Sequence, residues 1–330
     1  MNTLFVLLDG AEDHPHPLLD GKKPIHVAEM PFLRSRAVNR FRTTGKAYTH
    51  LFLNEFFTGH PPESSRAALE ALGLGLDMSN GRNAFRFSPA RFADDMIYWI
   101  YDLGDVKKDI EFHVRDNLWI LDEYNPEINF FLEGRAVLTM DYSDVPDLPS
   151  PPVNTRYVEV PGDLGKLVNR VAEILDGVTN YPWGCGKLGH IYPGFESMGK
   201  MTAISDSPTS LGICSSLGYD IHLIQELDDR FPVAAKALEH GNVFLHVDEV
   251  DEYSHQKDPF KKIEVLEHTD KMMEKYFSDA ERIVYFTDHG TSCVTGEHIL
   301  TDVPVWTTFD CKLKEGVITP LKEVIPRILG

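Results

Sequence analysis

Three short apolar runs constrain this chain more than anything else in it. "LFVLL" (4–8) runs straight into Asp9, "VFLHV" (243–247) into Asp248, and "IVYFT" (283–287) into "DHGT". A half-buried strand alternates apolar and polar residues, whereas a continuous apolar run of this length suits a strand covered on both faces, as in a parallel sheet. Between the second and third runs, "FKKIEVLEHTDKMMEKYF" (260–277) repeats Phe260, Ile263, Leu266, Met272 and Tyr276 at roughly helical spacing. Strand, helix and strand predict a β-α-β unit with a right-handed connection. In open α/β sheets, ligands sit beyond the carboxyl ends of the strands. All three runs end in acid at that edge, so their charges are expected to converge.

The middle of the chain has a different texture. "IYWIYDL", "IEFHV", "LWILDEY", "INFFLEG" and "RAVLTMDY" are short aromatic and β-branched runs separated by polar turns, and they read as strands. The proline-rich "SDVPDLPSPPV" (143–153) reads as a loop, "DLGKLVNRVAEILDGV" (163–178) as a helix ending near Gly177, and "LKEVIPRILG" as a last short helix. The expected fold class is therefore α/β: a mostly parallel sheet flanked by helices, built from residues 1–89 and 182–330. A smaller α+β domain at 90–181 is inserted into it, as a cap that contacts substrate.

Composition narrows the function. Of the 330 residues, 51 are Asp or Glu and 32 are Lys or Arg, for a formal charge of −19. That excludes a nucleic-acid backbone or an anionic membrane as the main partner. A small anionic substrate stays open, because bound cations reverse a local field. Cys185, Cys214, Cys293 and Cys311 form no C-x-x-C pair, so free thiols in a reducing compartment are expected. The apolar run at the N-terminus is one strand long and lacks a basic flank, which reads as neither signal peptide nor membrane span; a cytoplasmic location is the expectation.

Four motifs carry chemistry. In "DEVDEYSH" (248–255), Asp251 and His255 lie four apart, on one side of a helical turn. Asp oxygen and His nitrogen together suit zinc, manganese or iron, and a solvated acidic turn is the bland alternative. "TDHGT" sets Asp288 beside His289 at a strand end, with His298 within a loop's reach; a structural Asp-His pair is the alternative. Asp9 in "LLDG" is either a ligand or a strand-ending Asp-Gly turn. In "GHPPESSRAALEALG", a serine enters a helix, either as its N-cap or as a nucleophile at a helix N-terminus that favours phosphate. Together the four fit one chemistry: two divalent cations clamp a phosphoryl group and activate a serine hydroxyl for in-line attack.

The order of these motifs resembles the alkaline phosphatase superfamily of metalloenzymes, and within it the archaeal-type cofactor-independent phosphoglycerate mutases. The likeness is carried by "LLDGAEDHP", "PPESSRAALEALGLGLD", "AFRFSP", "YPWGCGKLGHIYPGFESMGKMTAISDSPTSLGICSSLGYD", "HVDEVDEYSHQKD" and "DHGTSCVTGEHILTDVPV", together with shorter flanking segments. Those pieces cover about half of the chain. The resemblance implies an alkaline-phosphatase-like core and two divalent metal ions, manganese or zinc, with magnesium also admitted. It places Asp9, Ser64, Asp288 and His289 on one ion and Asp251, His255 and His298 on the other. Ser64 would be the nucleophile, with Ser65 as the alternative, and Arg86, Lys187 and Arg82 would contact substrate. The chain departs from the family after the serine helix, where "LGLGLDMSNGRNAFRF" is compressed and only Gly81-Arg82 remains of a longer glycine-rich stretch.

The implied activity is a phosphoserine-dependent, glycolytic interconversion of 3-phosphoglycerate and 2-phosphoglycerate, with a small phosphorylated metabolite as partner. Two alternatives stand beside it. One is a phosphohydrolase or phosphotransferase for another small phosphomonoester. The other is a metal-binding homologue without catalysis. Asp248, Glu249 and Glu252 have no role that the sequence supplies.

Overall fold

Leu4, Val6 and Leu8 turn to one face of their strand and Phe5 and Leu7 to the other, and all five are buried. That double burial is what an unbroken apolar run predicts. In the computed structural model, which describes residues 1–100, 103–104, 106–132, 134–151, 154–313 and 315–330, Leu4–Leu8 is the centre of an eight-stranded sheet. It pairs in parallel with Asn242–Val247 on one side and Ile283–Phe286 on the other. Met201–Ser205 and Asp220–Leu223 extend the parallel part outward from Asn242–Val247. Beyond Ile283–Phe286 lies Asp302–Thr307, antiparallel to both of its neighbours, then Asn39–Thr44 and, parallel to that strand, the edge strand Ile318–Thr319. One face carries Val243, Leu245 and the helix Pro259–Phe277 with its buried Leu266, Met273 and Phe277. On the other, Phe52, Phe56 and Phe57 of the helix Thr49–Thr58 pack against Phe5, Phe244 and Phe286.

The chain divides into two units, one of Met1–Pro62 with Tyr192–Gly330 and one of Glu63–Ile191. The boundaries expected at 89/90 and 181/182 differ from this division. They fall inside the strands Asn83–Ala93 and Val178–Gly186, which pair with each other from Ala84 to Arg91. A shift in composition marks where aromatic runs begin, not where a strand finds its partner. The serine helix Arg66–Gly73 consequently belongs to the second unit.

The second unit is an antiparallel sheet with Gly162–Ile174 packed on one side, around Leu164, Leu167, Val168 and Val171. Ala67, Ala68 and Ala71 of the serine helix pack with Ala84 and Val137 of the sheet. Two of the runs read as strands are helical. "IEFHV" lies in the helix Val106–Asp116, where Ile110 and Val114 are buried four apart and Phe112 is 61% exposed. "LWILDEY" is the 3-10 helix Leu118–Tyr124, with Leu121 buried and Trp119 65% exposed. Residue type suggested strand, but the burial period of three to four decided for helix. Parts of "IYWIYDL", "INFFLEG" and the proline-rich loop lie outside the described residues. All four cysteines are free, and no helix among the described residues is long and apolar enough to cross a membrane.

Candidate metal centre

Parallel register brings the three acid-terminated strands level: Leu8 lies opposite Val247 and Leu7 opposite Phe286. Asp9, Asp248 and Asp288 therefore leave the sheet side by side. Gly10 makes the turn that follows in the left-handed region, φ +59°, and its amide donates to Asp288 Oδ1 at 3.2 Å. A β-carbon there would collide with the Asp251 carboxylate and the Thr291 hydroxyl, so this position has to be glycine.

Two groups of donors result. In the first, Asp251 and His255 face one another across one turn of the helix Glu249–His255, with Asp251 Oδ2 3.1 Å from His255 Nε2. His298 Nε2 closes the group at 3.8 Å from the same oxygen and 3.1 Å from His255 Nε2. In the second, His289 Nε2 lies 3.2 Å from Asp9 Oδ1 and 3.3 Å from Asp288 Oδ2. Asp251 Oδ1, 4.0 Å from His289 Nδ1, stands between the two groups. Six of the residues singled out in the sequence thus meet in the first unit.

The seventh, Ser64, belongs to the second unit. There the two adjacent serines separate by job. Ser65 is the N-cap of Arg66–Gly73, accepting from the Ala68 amide at 3.2 Å, while its own amide donates to the Lys187 carbonyl. Ser64 Oγ instead accepts from the exposed Gly189 amide at 3.0 Å. Lys187 is exposed. Arg86 is buried, ion-paired with Glu70 and stacked over Trp183 at 4.8 Å. Arg82 is buried too, donating to the carbonyls of Asn125 (2.7 Å) and Thr139 (3.0 Å).

Residues 188–327 match the model of the metalloenzyme superfamily. That stretch is less than half of the chain. Asp251, His255, Asp288, His289 and His298 all fall within it, and Asp9 lies outside the matched segment. Among curated proteins, the chain is 23% identical to the 2,3-bisphosphoglycerate-independent phosphoglycerate mutase of Picrophilus torridus, over 92% of this chain and 88% of that one. The corresponding protein of Pyrobaculum islandicum is 26% identical with the same coverage. A solved structure of a Pyrococcus horikoshii protein aligns with a TM-score of 0.75 at 18% identity, over 98% of this chain and 95% of that one. The cofactor-independent phosphoglycerate mutase of Thermoplasma acidophilum aligns with a TM-score of 0.61 at 20% identity, over 100% and 99%. These likenesses describe a shared fold.

The donor set fits divalent cations. Asp9 Oδ1 and Asp288 Oδ2 are buried carboxylate oxygens with no hydrogen-bond partner among the described residues, and both face His289. Buried anionic oxygens left bare are costly unless a positive charge sits on them. In the cation-free protein, protons take that place. Burial would push His289 down, but Asp288, Asp9 and Asp251 outweigh it and raise it to about 10. Burial and the neighbouring Asp9 raise Asp288 to about 7. Burial would raise Asp251 as well, yet hydrogen bonds from His255 and His298 hold it well below the usual carboxylate range.

Several residues that shape the centre were not singled out in the sequence. His246 sits inside the apolar run "VFLHV", fully buried, with Nε2 donating to Asp9 Oδ2 at 2.7 Å and Nδ1 2.8 Å from the Ser205 hydroxyl. It turns Oδ1 of Asp9 toward His289. A lone histidine two residues before the acid that ends a doubly buried strand was the available signal. Lys262, also fully buried, donates to the carbonyls of Gly10 (2.9 Å) and Thr291 (3.0 Å) and pairs with Asp13 at 3.1 Å, tying together the two loops that carry ligand candidates. Glu249 gains a role: it pairs with the buried Arg230 at 2.7 Å, which also holds Asp206 at 2.9 Å and the His246 carbonyl at 3.1 Å. Asp248 stands 3.7 Å from His246 Nε2; burial and the carboxylates of Asp206, Asp9 and Glu252 hold its carboxyl well above the usual range.

Proposed function

We propose that this chain moves a phosphoryl group between the 3- and 2-hydroxyls of glycerate through a phosphoserine at Ser64, without added bisphosphoglycerate. The observation that carries the reading is the pair of bare, buried oxygens on Asp9 and Asp288 facing His289, beside the three-donor group of Asp251, His255 and His298. The near full-length likeness to proteins named as phosphoglycerate mutases supports it. Asp251, His255 and His298 would hold one divalent ion, and Asp9, Asp288 and His289 with Ser64 the other. Manganese and zinc suit the mixed oxygen and nitrogen donors, and magnesium is a third candidate. Bound there, such ions neutralise phosphoryl oxygens and make a serine hydroxyl easier to deprotonate.

Ser64 has the freedom the role needs, because Ser65 does the capping. In the proposed reaction Ser64 loses its proton, and its oxygen bonds to phosphorus as the bond from phosphorus to the C3 oxygen of glycerate breaks. The departing oxygen takes up a proton. Glycerate then presents its C2 hydroxyl to the phosphoserine; that hydroxyl loses its proton as its oxygen bonds to phosphorus, the bond from phosphorus to the Ser64 oxygen breaks, and the Ser64 oxygen takes up a proton. Lys187, exposed next to the serine turn, is the cation best placed in its unit to meet a substrate carboxylate or phosphate. Arg86 and Arg82 act in this proposal as the frame behind it.

That last feature favours a second reading, a phosphohydrolase for a small phosphomonoester. A mutase must hold the dephosphorylated intermediate away from water, which calls for a clamp of cations. Two of the three candidates, Arg86 and Arg82, spend their guanidinium groups inside their own unit. Phosphorus NMR of 3-phosphoglycerate incubated with the manganese- or zinc-loaded protein separates the two. Formation of 2-phosphoglycerate is the result expected; inorganic phosphate as the sole product moves the chain to the second reading, and no turnover of 3-phosphoglycerate removes the mutase reading.

A further inference from the structure

Away from the metal-ligand candidates, a cavity of about 600 Å³ opens between two short proline-started helices, Pro24–Val27 and Pro31–Arg36, and the strands Asn39–Thr44 and Asp302–Thr307. Strand register explains what lines it. Arg40 lies opposite Trp306 and Arg42 opposite Pro304, and residues paired across antiparallel strands share a face. The alternation in "NRFRTT" therefore buries Phe41 and Thr43 and turns Arg40 and Arg42 the other way. Arg34 comes in from the second helix, and Met30, Leu33 and Trp306 supply an apolar wall.

Three guanidinium groups against one carboxylate, Glu12, line the cavity, a local reversal of charge on a chain of formal charge −19. Arg42 is committed to Glu12, at 2.7 Å. Arg34 and Arg40 are not paired with any carboxylate among the described residues. Arg34 donates to the carbonyls of Ala28 (2.8 Å) and His26 (3.4 Å), and Arg40 to that of Arg34 at 3.5 Å. Each guanidinium has five N–H donors, so most of them are uncommitted. The Asp270 carboxylate is near enough to feel Arg34 but is taken up by the Phe32 and Leu33 amides, so in a chain with 51 acids to 32 bases neither arginine has a carboxylate in direct contact.

We propose that this cavity is a second ligand site, for a small organic anion with a planar or apolar body. Its phosphate, sulfonate or carboxylate group sits between Arg34 and Arg40, where planar N–H forks match oxyanion geometry. Its body lies against Trp306, Met30 and Leu33, in a volume typical of small-molecule sites. The site does not depend on the phosphoryl-transfer reading, since no proposed metal ligand or nucleophile lines it.

The test uses anilinonaphthalene sulfonate, an anion on an aromatic body, with uncharged phenylnaphthylamine as the control. Both are titrated by fluorescence into the full-length protein with a chelator present, so that no metal ion offers the sulfonate another site. We expect saturable one-to-one binding that weakens about tenfold or more in Arg34→Gln/Arg40→Gln, with the uncharged control binding far less well. Val317→Trp, which puts bulk at the exposed rim, should abolish binding without touching either arginine, and carries the test if the double variant does not fold. Thermal unfolding verifies each protein. Equal sulfonate binding by wild type and the folded variants, or a control that binds as tightly as the anion, overturns the proposal.

Discussion

His255 and His298 bring their Nε2 atoms to 3.1 Å from each other, while Nδ1 of each is 2.7 Å from a backbone carbonyl, Gly296 for the first and Ala47 for the second. A carbonyl oxygen only accepts, so each Nδ1 carries a hydrogen and each Nε2 is left for whatever lies between the rings and Asp251. That is either a proton or a cation. Backbone bonds of this kind fix ring orientation in metal sites and set which nitrogen faces the ion.

Proton and metal therefore compete. The cation-free protein holds a proton on His289, raised to about 10, and partly on Asp288, raised to about 7. A cation needs both groups deprotonated, so loading releases protons and apparent affinity rises as pH passes through both values, from about 7 to about 10. The sign for stability is opposite without metal. Both folded values lie above the unfolded ones, so the stabilisation they give is complete at low pH and is lost as pH rises through them. The thermal shift caused by manganese or zinc should grow with pH, and a shift independent of pH would argue against these ligands.

Gly10→Ala should uncouple folding from metal binding. The left-handed backbone and the clash with Asp251 and Thr291 cost about 1–3 kcal/mol of stability, and metal affinity should fall further than stability does. Denaturant unfolding and metal titration on the same sample measure both losses. Wild-type metal affinity in this variant would show that the Gly10 turn does not set the centre.

Lys262→Met removes the buried cation that joins the Gly10 and Thr291 loops and leaves Asp13 without its partner. A loss of about 3–5 kcal/mol is expected, the range for breaking a buried pair on one side. Adding Asp13→Asn should recover part of it, since the stranded charge is then gone. Urea unfolding of the single and double variants gives the comparison.

The two serines should respond in opposite ways. Ser65→Ala loses a helix cap and about 1 kcal/mol of stability, and keeps most of any turnover. Ser64→Ala changes stability by less than about 0.5 kcal/mol and abolishes turnover of 3-phosphoglycerate. Activity that survives intact in Ser64→Ala would remove the nucleophile assignment.

How much of this was legible in the sequence varied with the range of the interaction. The parallel core was readable because continuous burial is written into "LFVLL" and "IVYFT" residue by residue. The Asp251–His255 pair was readable because four-residue spacing is local geometry. "IEFHV" and "LWILDEY" misled because β-branched and aromatic residues also suit the buried stripe of a helix, and only tertiary packing chose between them. Lys262 and Arg230 were invisible for a different reason. A basic residue in an amphipathic helix reads as solvent-facing, and its burial depends on partners from distant loops: Asp13 for the lysine, Asp206 and Glu249 for the arginine. The second unit's extent was hidden similarly, since it rests on the pairing of Asn83–Ala93 with Val178–Gly186 across the sequence.

The central claim is that six side chains, Asp9, Asp251, His255, Asp288, His289 and His298, form a centre for two divalent cations. Crystals grown with manganese or zinc, with anomalous diffraction recorded at the absorption edge of the metal used, test it most directly. The account predicts two peaks, one bounded by Asp251, His255 and His298 and one by Asp9, Asp288 and His289. A fully loaded crystal with no peak among these residues, or with its metal held elsewhere, would contradict it.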